Sequence, residues 1–377
     1  MMAMKENCAL PGPYGDIGRV IVTGDILRPY PLHDGGWEPA TEKNINWLYR
    51  VMTFAMSSLD VPVERFMWSE RTDIDARHHF DAPMLYASLG LDVGTPNWAR
   101  MRSSSSAVES LVVALRGITR NSLVVGYEMP PAMIDALDEL DVPFIDIVLH
   151  PIRFLPDLLF GFRSNRSSAQ AFFQSQAIAP DSIRRSAALI TAKAAWMPPP
   201  QAELVPGTLL LLGQVANDAS LSRPDGTFLS LADFRAQLLQ LSFDYSQVLY
   251  KPHPYEAGHE SMHRLLADFP SFKPATDNFY RLVARDEVCG VAAINSSGLV
   301  EAPYFGCESI GLAAPLYRFD DTEDGHVGID NRWLAPHFWQ ALFSGGPEHA
   351  AATLPADTLR KSMNADWGFG QIDQVCA

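Results

Sequence analysis

The chain has 377 residues, 47% of them hydrophobic and 10% aromatic, which is enough to bury a core and long enough for two domains of ordinary size. A formal net charge of −15 excludes general nucleic-acid binding, which needs a basic footprint, so any anionic ligand must be held by a local basic cluster. No apolar run reaches the about eighteen residues of a spanning helix, no signal-peptide core follows Met1, and Cys8, Cys289, Cys307 and Cys376 show no metal spacing, which together fit a reducing cytoplasm.

In chain order, Gly18 to Thr23 is a β-branched run predicted as the first strand, closed by Gly24-Asp25, and Glu42 to Met56 has apolar residues at helical spacing. Pro62 to Met67 reads as a short strand and Ser105 to Leu115 as a helix after a serine run that can cap it. Ser122 to Tyr127 is a buried-type strand, Pro131 to Leu140 a helix, and Phe144 to Leu149 another strand. Phe154 to Phe160 is apolar enough for a peripheral membrane contact, but a buried segment is the simpler reading.

A long helical stretch is predicted over Ser167 to Ala195, stopped by Met197-Pro198-Pro199-Pro200. Beyond it come the strand Thr208 to Leu212, a helix Leu231 to Leu241, the strand Gln247 to Tyr250, a helix Ala257 to Asp268 and the strand Val288 to Ile294. Ser297 to Phe305 starts a helix that Pro303 can shorten, and Trp333 to Phe343 is one more amphipathic helix. Alternating strands and helices require crossover connections, hence parallel sheets covered on both faces. The expected organisation is α/β with two Rossmann-like domains, residues 1–165 and 166–345, and a tail, 346–377, that can pack back on the first domain.

Open α/β sheets bind ligands beyond the carboxyl ends of their strands. Two turns fall at such ends. Lys251-Pro252-His253-Pro254 offers an ammonium and an imidazole on a proline-stiffened backbone, and Ser296-Ser297-Gly298 offers two hydroxyls at a helix start. Each alone has a plain structural reading, a stiff strand exit with a solvated lysine in the first case and an N-cap in the second. Their order places them on neighbouring loops, where both can reach one phosphate. Glu301 would lie a turn into the helix on the side of Ser297, where a carboxylate can accept both hydroxyls of a ribose. The combination suits a sugar nucleotide.

Upstream lies Gly213-Gln214, followed by Asn217-Asp218-Ala219-Ser220, immediately after the strand Thr208 to Leu212. With Tyr250-Lys251-Pro252-His253-Pro254, Ser296-Ser297 and Glu301-Ala302, this pattern resembles the retaining β-Kdo glycosyltransferases of bacterial capsule and O-antigen assembly, within the capsule polysaccharide synthesis group. The match spans about residues 207 to 317, with a weaker echo at Gly126-Tyr127-Glu128 and His150 to Phe154. The Lys-x-His-Pro and Ser-Ser signals also look like bacterial sialyltransferases.

The resemblance implies a GT-B-like fold with a central cleft and transfer of Kdo from CMP-Kdo to a saccharide or glycolipid acceptor. It implies that His253, Ser296 and Ser297 contact the CMP phosphate and that Glu301 holds the ribose. Asp218 matches the nucleophile of a double displacement, accompanied by Gln214 and Ser220. Net retention needs two inversions, which is why a carboxylate should face the side opposite the leaving group. The plain alternative for Asp218 is a loop acid that caps the next helix, and the accompanying Gln214 and Ser220 favour the catalytic reading.

A second acid must come from across the cleft. Glu128 projects from a strand end of the first domain, where an acceptor would bind and a base could take its proton, although it could also be a solvated loop acid. His150 and Arg153 occupy another strand end, and Arg153 could fork onto a sugar carboxylate or simply pair with Asp146 or Asp157. Asp25 is a further cleft candidate or a strand terminator. Asp73, Asp75, His78 and His79 look like a metal cluster, but adjacent residues point apart. No catalytic metal or cofactor is expected, since Lys251 and His253 can offset the leaving phosphate. Competing functions are a sialyltransferase or other CMP-sugar transferase, a nucleotide-sugar epimerase or hydrolase of the same plan, and a non-catalytic module that keeps the nucleotide pocket. A cytoplasmic protein, at most peripheral to the inner membrane face, is the expected setting.

Overall fold

The computed structural model describes residues 13–14, 17–69, 79–255, 260–320, 322, 325–345, 354–365, 367–369 and 372. Thirteen strands appear among them: β1 Arg19–Gly24, β2 Pro29–Pro31, β3 Trp37–Pro39, β4 Val63–Arg65, β5 Ser122–Tyr127, β6 Phe144–Leu149, β7 Phe160–Ser164, β8 Thr208–Leu212, β9 Gln247–Lys251, β10 Lys273–Pro274, β11 Val288–Ala293, β12 Glu308–Gly311 and β13 Val327–Ile329.

The first sheet has the order β13-β7-β6-β5-β1-β4. Its four strands β4, β1, β5 and β6 run parallel, so their carboxyl ends share one edge. All six residues of β5 are buried, as the uninterrupted apolar run requires when helices cover both faces. Helices Glu42–Ala55, Ser105–Leu115 and Pro131–Glu139 supply that cover through Leu48, Met52, Leu111 and Met133, among others.

The second sheet, β10-β9-β8-β11-β12, is parallel throughout. The alternation of β-strand side chains divides its core into two layers. Leu210 and Leu212 face the layer containing helix Pro180–Trp196, while Leu209 and Leu211 face helices Arg235–Asp244 and Glu260–Asp268. The carboxyl edges of both sheets open onto one cleft, the GT-B-like plan of two Rossmann-like halves.

Several elements differ from expectation. The stretch Ser167 to Ala195 forms two helices, Ser167–Ser175 and Pro180–Trp196, because Pro180 lacks the N–H of a helix interior and begins the second one. The region from Leu231 opens as a 3-10 turn, Leu231–Phe234, with a capping box of Ser230 and Asp233, before the helix from Arg235. After Ser297 the α-helix is only Gly298–Glu301, and a 3-10 turn with Pro303 continues it.

The first half is also not wholly parallel. The loop 150–159 reverses the chain, so β7 pairs antiparallel with β6, and β13 returns from far downstream to pair antiparallel with β7. Helix Ser167–Ser175 and the segment from β13 to helix Pro336–Ser344 therefore pack on the first core, although both fall within 166–345. Aromatic contacts explain the return: Phe160 and Phe162 each meet Trp333 at 5.5 Å, and Phe172 meets Phe338 at 5.2 Å.

The tail ties the halves together. Leu359 and Ala365 join the first core, and Ile372 joins the second. Asp157 accepts from the backbone N–H of Arg360 at 3.0 Å and of Leu359 at 3.2 Å. Arg360 in turn donates to the carbonyls of Leu155, Pro156, Arg153 and Trp367. Gly368 sits at φ +99°, and a Cβ there would lie 1.7 Å from the Arg153 carbonyl oxygen, so only glycine fits. Leu155, Leu158, Leu159 and Phe160 are buried, which assigns that apolar stretch to the interior. No described helix is long and apolar enough to cross a membrane.

Candidate active site

The cleft holds a cavity of about 490 Å³ lined from both halves. Glu128 and Arg28 enter from the first, Arg153 from the loop 150–159 that crosses to the second core, and Gln214, Asp218, Ser220, His253, Ser296 and Ser297 from the second. The two carboxylates of interest thus share one cavity, each carried by a different sheet.

Glu128 adopts φ +51°, a left-handed conformation that costs a non-glycine residue about 1 kcal/mol. The neighbouring strand holds it there: the Glu128 N–H donates to the Ile147 carbonyl at 2.9 Å and the Met129 N–H to Asp146 Oδ1 at 3.0 Å. Burial raises the Glu128 carboxyl to about 7. Arg28 and Arg153 oppose that rise, and the Asp218 and Asp146 carboxylates add to it, so Asp218 is near enough to be felt across the cavity.

Asp218 caps the 3-10 turn Ala219–Leu221, with Oδ1 accepting from the Ser220 N–H at 2.8 Å. Asn217 before it takes φ +64°, which asparagine tolerates. A two-way amide lock anchors this loop. Gln214 Nε2 donates to Asn295 Oδ1 at 2.8 Å, and the Asn295 N–H donates to Gln214 Oε1 at 2.9 Å. Asn295 Nδ2 then donates to the Ser220 carbonyl at 2.6 Å. The loops following β8 and β11 are thereby fixed to each other.

His253 follows β9 and is partly buried, which lowers its imidazole pKa; Lys251 adds to that and Asp218 opposes it. Its Nδ1 accepts from the Tyr255 N–H at 3.1 Å, so the neutral ring carries its proton on Nε2 as a donor. Lys251 itself is buried at the end of β9, its carbonyl accepting from the Gly213 N–H at 2.8 Å. Ser296 Oγ lies 3.4 Å from the Gly298 N–H, and Ser297 makes no capping bond.

Four expectations are corrected, for Glu301, His150, Asp25 and Lys251, the last being buried within β9 and not among the residues that line the cavity. Glu301 is only 2% exposed and does not line the cavity; its Oε1 accepts from the Arg153 N–H at 2.7 Å and the Tyr280 hydroxyl at 3.0 Å, and burial raises its carboxyl to about 7. It is an interior tie between the halves rather than a surface waiting for ribose, because the loop 150–159 covers the helix start. His150 is buried, with Nδ1 accepting from the Ile152 N–H at 3.1 Å and its ring 4.6 Å from Phe319, and burial lowers its pKa to about 3. Asp25 is buried against Trp98 Nε1 at 3.0 Å and Arg102 at 3.3 Å. Arg153 pairs with neither Asp146, which bonds His326, nor Asp157, which caps the tail helix; it lies 5.2 Å from the Trp367 ring. Asp73, Asp75 and His78 lie outside the described residues, and among those described no group of His, Cys, Asp and Glu is placed to hold a metal.

Arg28, Tyr317 and Asn295 complete the site. Sequence reading left all three without a role; Asn295 alone had a signal, as the polar residue between a buried strand and Ser296-Ser297.

No family model matches the sequence, and no curated protein matches it. Similarity to solved structures is found with two Thermosulfurimonas dismutans chains. They are a KpsC beta Kdo 2,4 transferase, at 14% identity over 56% of this chain and 74% of that one with a TM-score of 0.33, and a KpsC beta Kdo 2,7 transferase, at 15% identity over 54% and 68% with a TM-score of 0.30. A Methanocaldococcus jannaschii UDP-GlcNAc 2-epimerase, in complex with UDP-GlcNAc and UDP, is similar at 9% identity over 76% and 82%, with a TM-score of 0.28.

Proposed function

We propose that the protein is a glycosyltransferase that moves an acidic sugar, Kdo, from CMP-Kdo to a saccharide or glycolipid acceptor with retention of configuration. The observation that carries this reading is the presence of Glu128 and Asp218 in one cavity, from opposite halves, with His253, Ser296 and Ser297 on the Asp218 side. The CMP phosphate lies against the His253 Nε2–H and the two serine hydroxyls, which take up the negative charge developing on it as the glycosidic C–O bond breaks. No metal is assigned to that step.

Asp218 attacks the anomeric carbon, CMP departs, and an aspartyl ester of the sugar forms with inversion. Its Ser220 N–H bond orients the carboxylate for this attack. Glu128, as the carboxylate, then removes the acceptor hydroxyl's proton, the acceptor oxygen displaces Asp218, and the second inversion restores the configuration. Arg153, at the cavity wall, is the partner for the donor sugar's carboxylate. A CMP-activated donor places the reaction in the cytoplasm.

The test is ligand-specific stabilisation followed by trapping. CMP should raise the unfolding temperature where UDP and GDP do not. Incubation with CMP-Kdo and no acceptor should leave one Kdo on the peptide containing Asp218, and none in Asp218→Asn. Absence of CMP stabilisation, or full transfer by Asp218→Asn, overturns the proposal.

A further inference from the structure

The residues following Asp218 form a hairpin that leaves their own half. Arg223 N–H donates to the Thr227 carbonyl at 2.8 Å, Leu229 N–H to the Leu221 carbonyl at 2.8 Å, and Ser222 bridges Phe228. The Leu221 N–H donates to the Asp218 carbonyl at 3.0 Å, so hairpin and aspartate share one rigid base. Arg223 pairs with Asp233 at 2.9 Å and anchors that base to the second half.

The tip rests on helix Thr95–Met101 of the first half. Arg100 Nε donates to the Asp225 carbonyl at 2.8 Å, and the Phe228 ring stacks on Trp98 at 6.4 Å with an interplanar angle of 26°. Gly226, at φ +88°, lies so close that a Cβ would come within 2.7 Å of both the Pro96 carbonyl oxygen and Arg100 Nε. Trp98 is fully buried, bonds Asp25, and carries the Arg28 guanidinium 4.7 Å over its ring. The hairpin thus touches, through one tryptophan, the support of an arginine that lines the catalytic cavity. The tail clasp at Arg153 and Arg360 is a second link between the halves.

We propose that the hairpin 221–229 is a positioning strut: docked on helix Thr95–Met101, it sets the separation of Asp218 from Glu128, with Gly226, Arg100 and Phe228 as its positioning residues. The inference rests on the reading of Asp218 as nucleophile. Reacting groups misplaced by about 1 Å can lose about 100-fold in rate, so releasing the strut should act on turnover. It should spare CMP binding, since the Asn295 bonds to Gln214 and Ser220 keep Ser296 and Ser297 together with the Asp218 loop on the second half, away from the docking face.

The experiment compares Gly226→Val, Arg100→Ala and the conservative Phe228→Tyr, which keeps the ring. Hydrogen exchange at residues 222–229, solution scattering, CMP affinity, and kcat and KM for CMP release from CMP-Kdo are measured on the full chain. In Gly226→Val and Arg100→Ala, exchange should accelerate at least about tenfold and kcat fall by about 10- to 100-fold, with KM and CMP affinity within about twofold of wild type. Phe228→Tyr should behave as wild type. Faster exchange with unchanged kcat, or a parallel loss of CMP affinity, overturns the strut. If wild type releases no CMP from CMP-Kdo, the functional reading fails by itself; exchange and scattering then decide the docking, and Gly226→Val indistinguishable from wild type in both overturns it.

Discussion

Replacing Glu301 by glutamine separates the structural tie from a ribose ligand. Glu301 is 2% exposed, and its carboxyl rises from 4.5 to about 7, burial being the largest cause and the Arg153 N–H, Tyr280 hydroxyl and Arg153 charge opposing it. A folded-state value above the unfolded one means that the native protein binds the extra proton. Stability from this group is therefore full below about 4.5, declines as pH rises, and is lost above about 7. The rise corresponds to roughly 3 kcal/mol across that window. Glutamine keeps an oxygen able to accept from both the Arg153 N–H and Tyr280 and carries no charge. In urea unfolding, Glu301→Gln should match wild type near pH 4 and exceed it by roughly 3 kcal/mol at pH 8. CMP affinity should stay within about twofold of wild type. A variant less stable than wild type at pH 8, or one with unchanged stability and tenfold weaker CMP binding, would refute the reasoning and return Glu301 to the ribose.

Glu128 must be ionised to act as base, so turnover should climb about tenfold between pH 6 and pH 8 as a group near 7 loses its proton. Arg28→Ala, which removes a charge favouring that ionised form, should move the rising limb to higher pH; a pH-independent rate in wild type would exclude Glu128 from the base role. Gly368→Ala should destabilise the tail clasp by about 2 kcal/mol or more, seen as a lower urea midpoint, because its Cβ meets the Arg153 carbonyl oxygen. A midpoint within error of wild type would mean that the tail does not hold the halves together.

Much of the site was legible because it is local. Pro252 to Pro254, Ser296-Ser297 and Gln214 to Ser220 each follow a strand whose apolar run announces itself, and parallel strands bring their carboxyl-end loops to one edge. Glu128 could be read the same way, as the first residue beyond β5. Side-chain direction was not legible. Glu301 has the right helical offset from Ser297, yet the loop 150–159, which leaves β6 of the first sheet and packs Ile152, Phe154 and Leu155 into the second core, covers it.

Local pattern by itself determined strands β1, β4, β5, β6, β8, β9 and β11, the main helices between them and the loops that carry the cavity's polar groups, because periodicity and proline or glycine stops act over a few residues. The tertiary structure alone decided that β13 rejoins the first sheet, that Asp146 takes His326 while Arg153 lies against Trp367, and that the hairpin after Asp218 lands on Trp98. Those contacts join residues far apart in the chain, where burial and shape choose the partner and no sequence spacing records it.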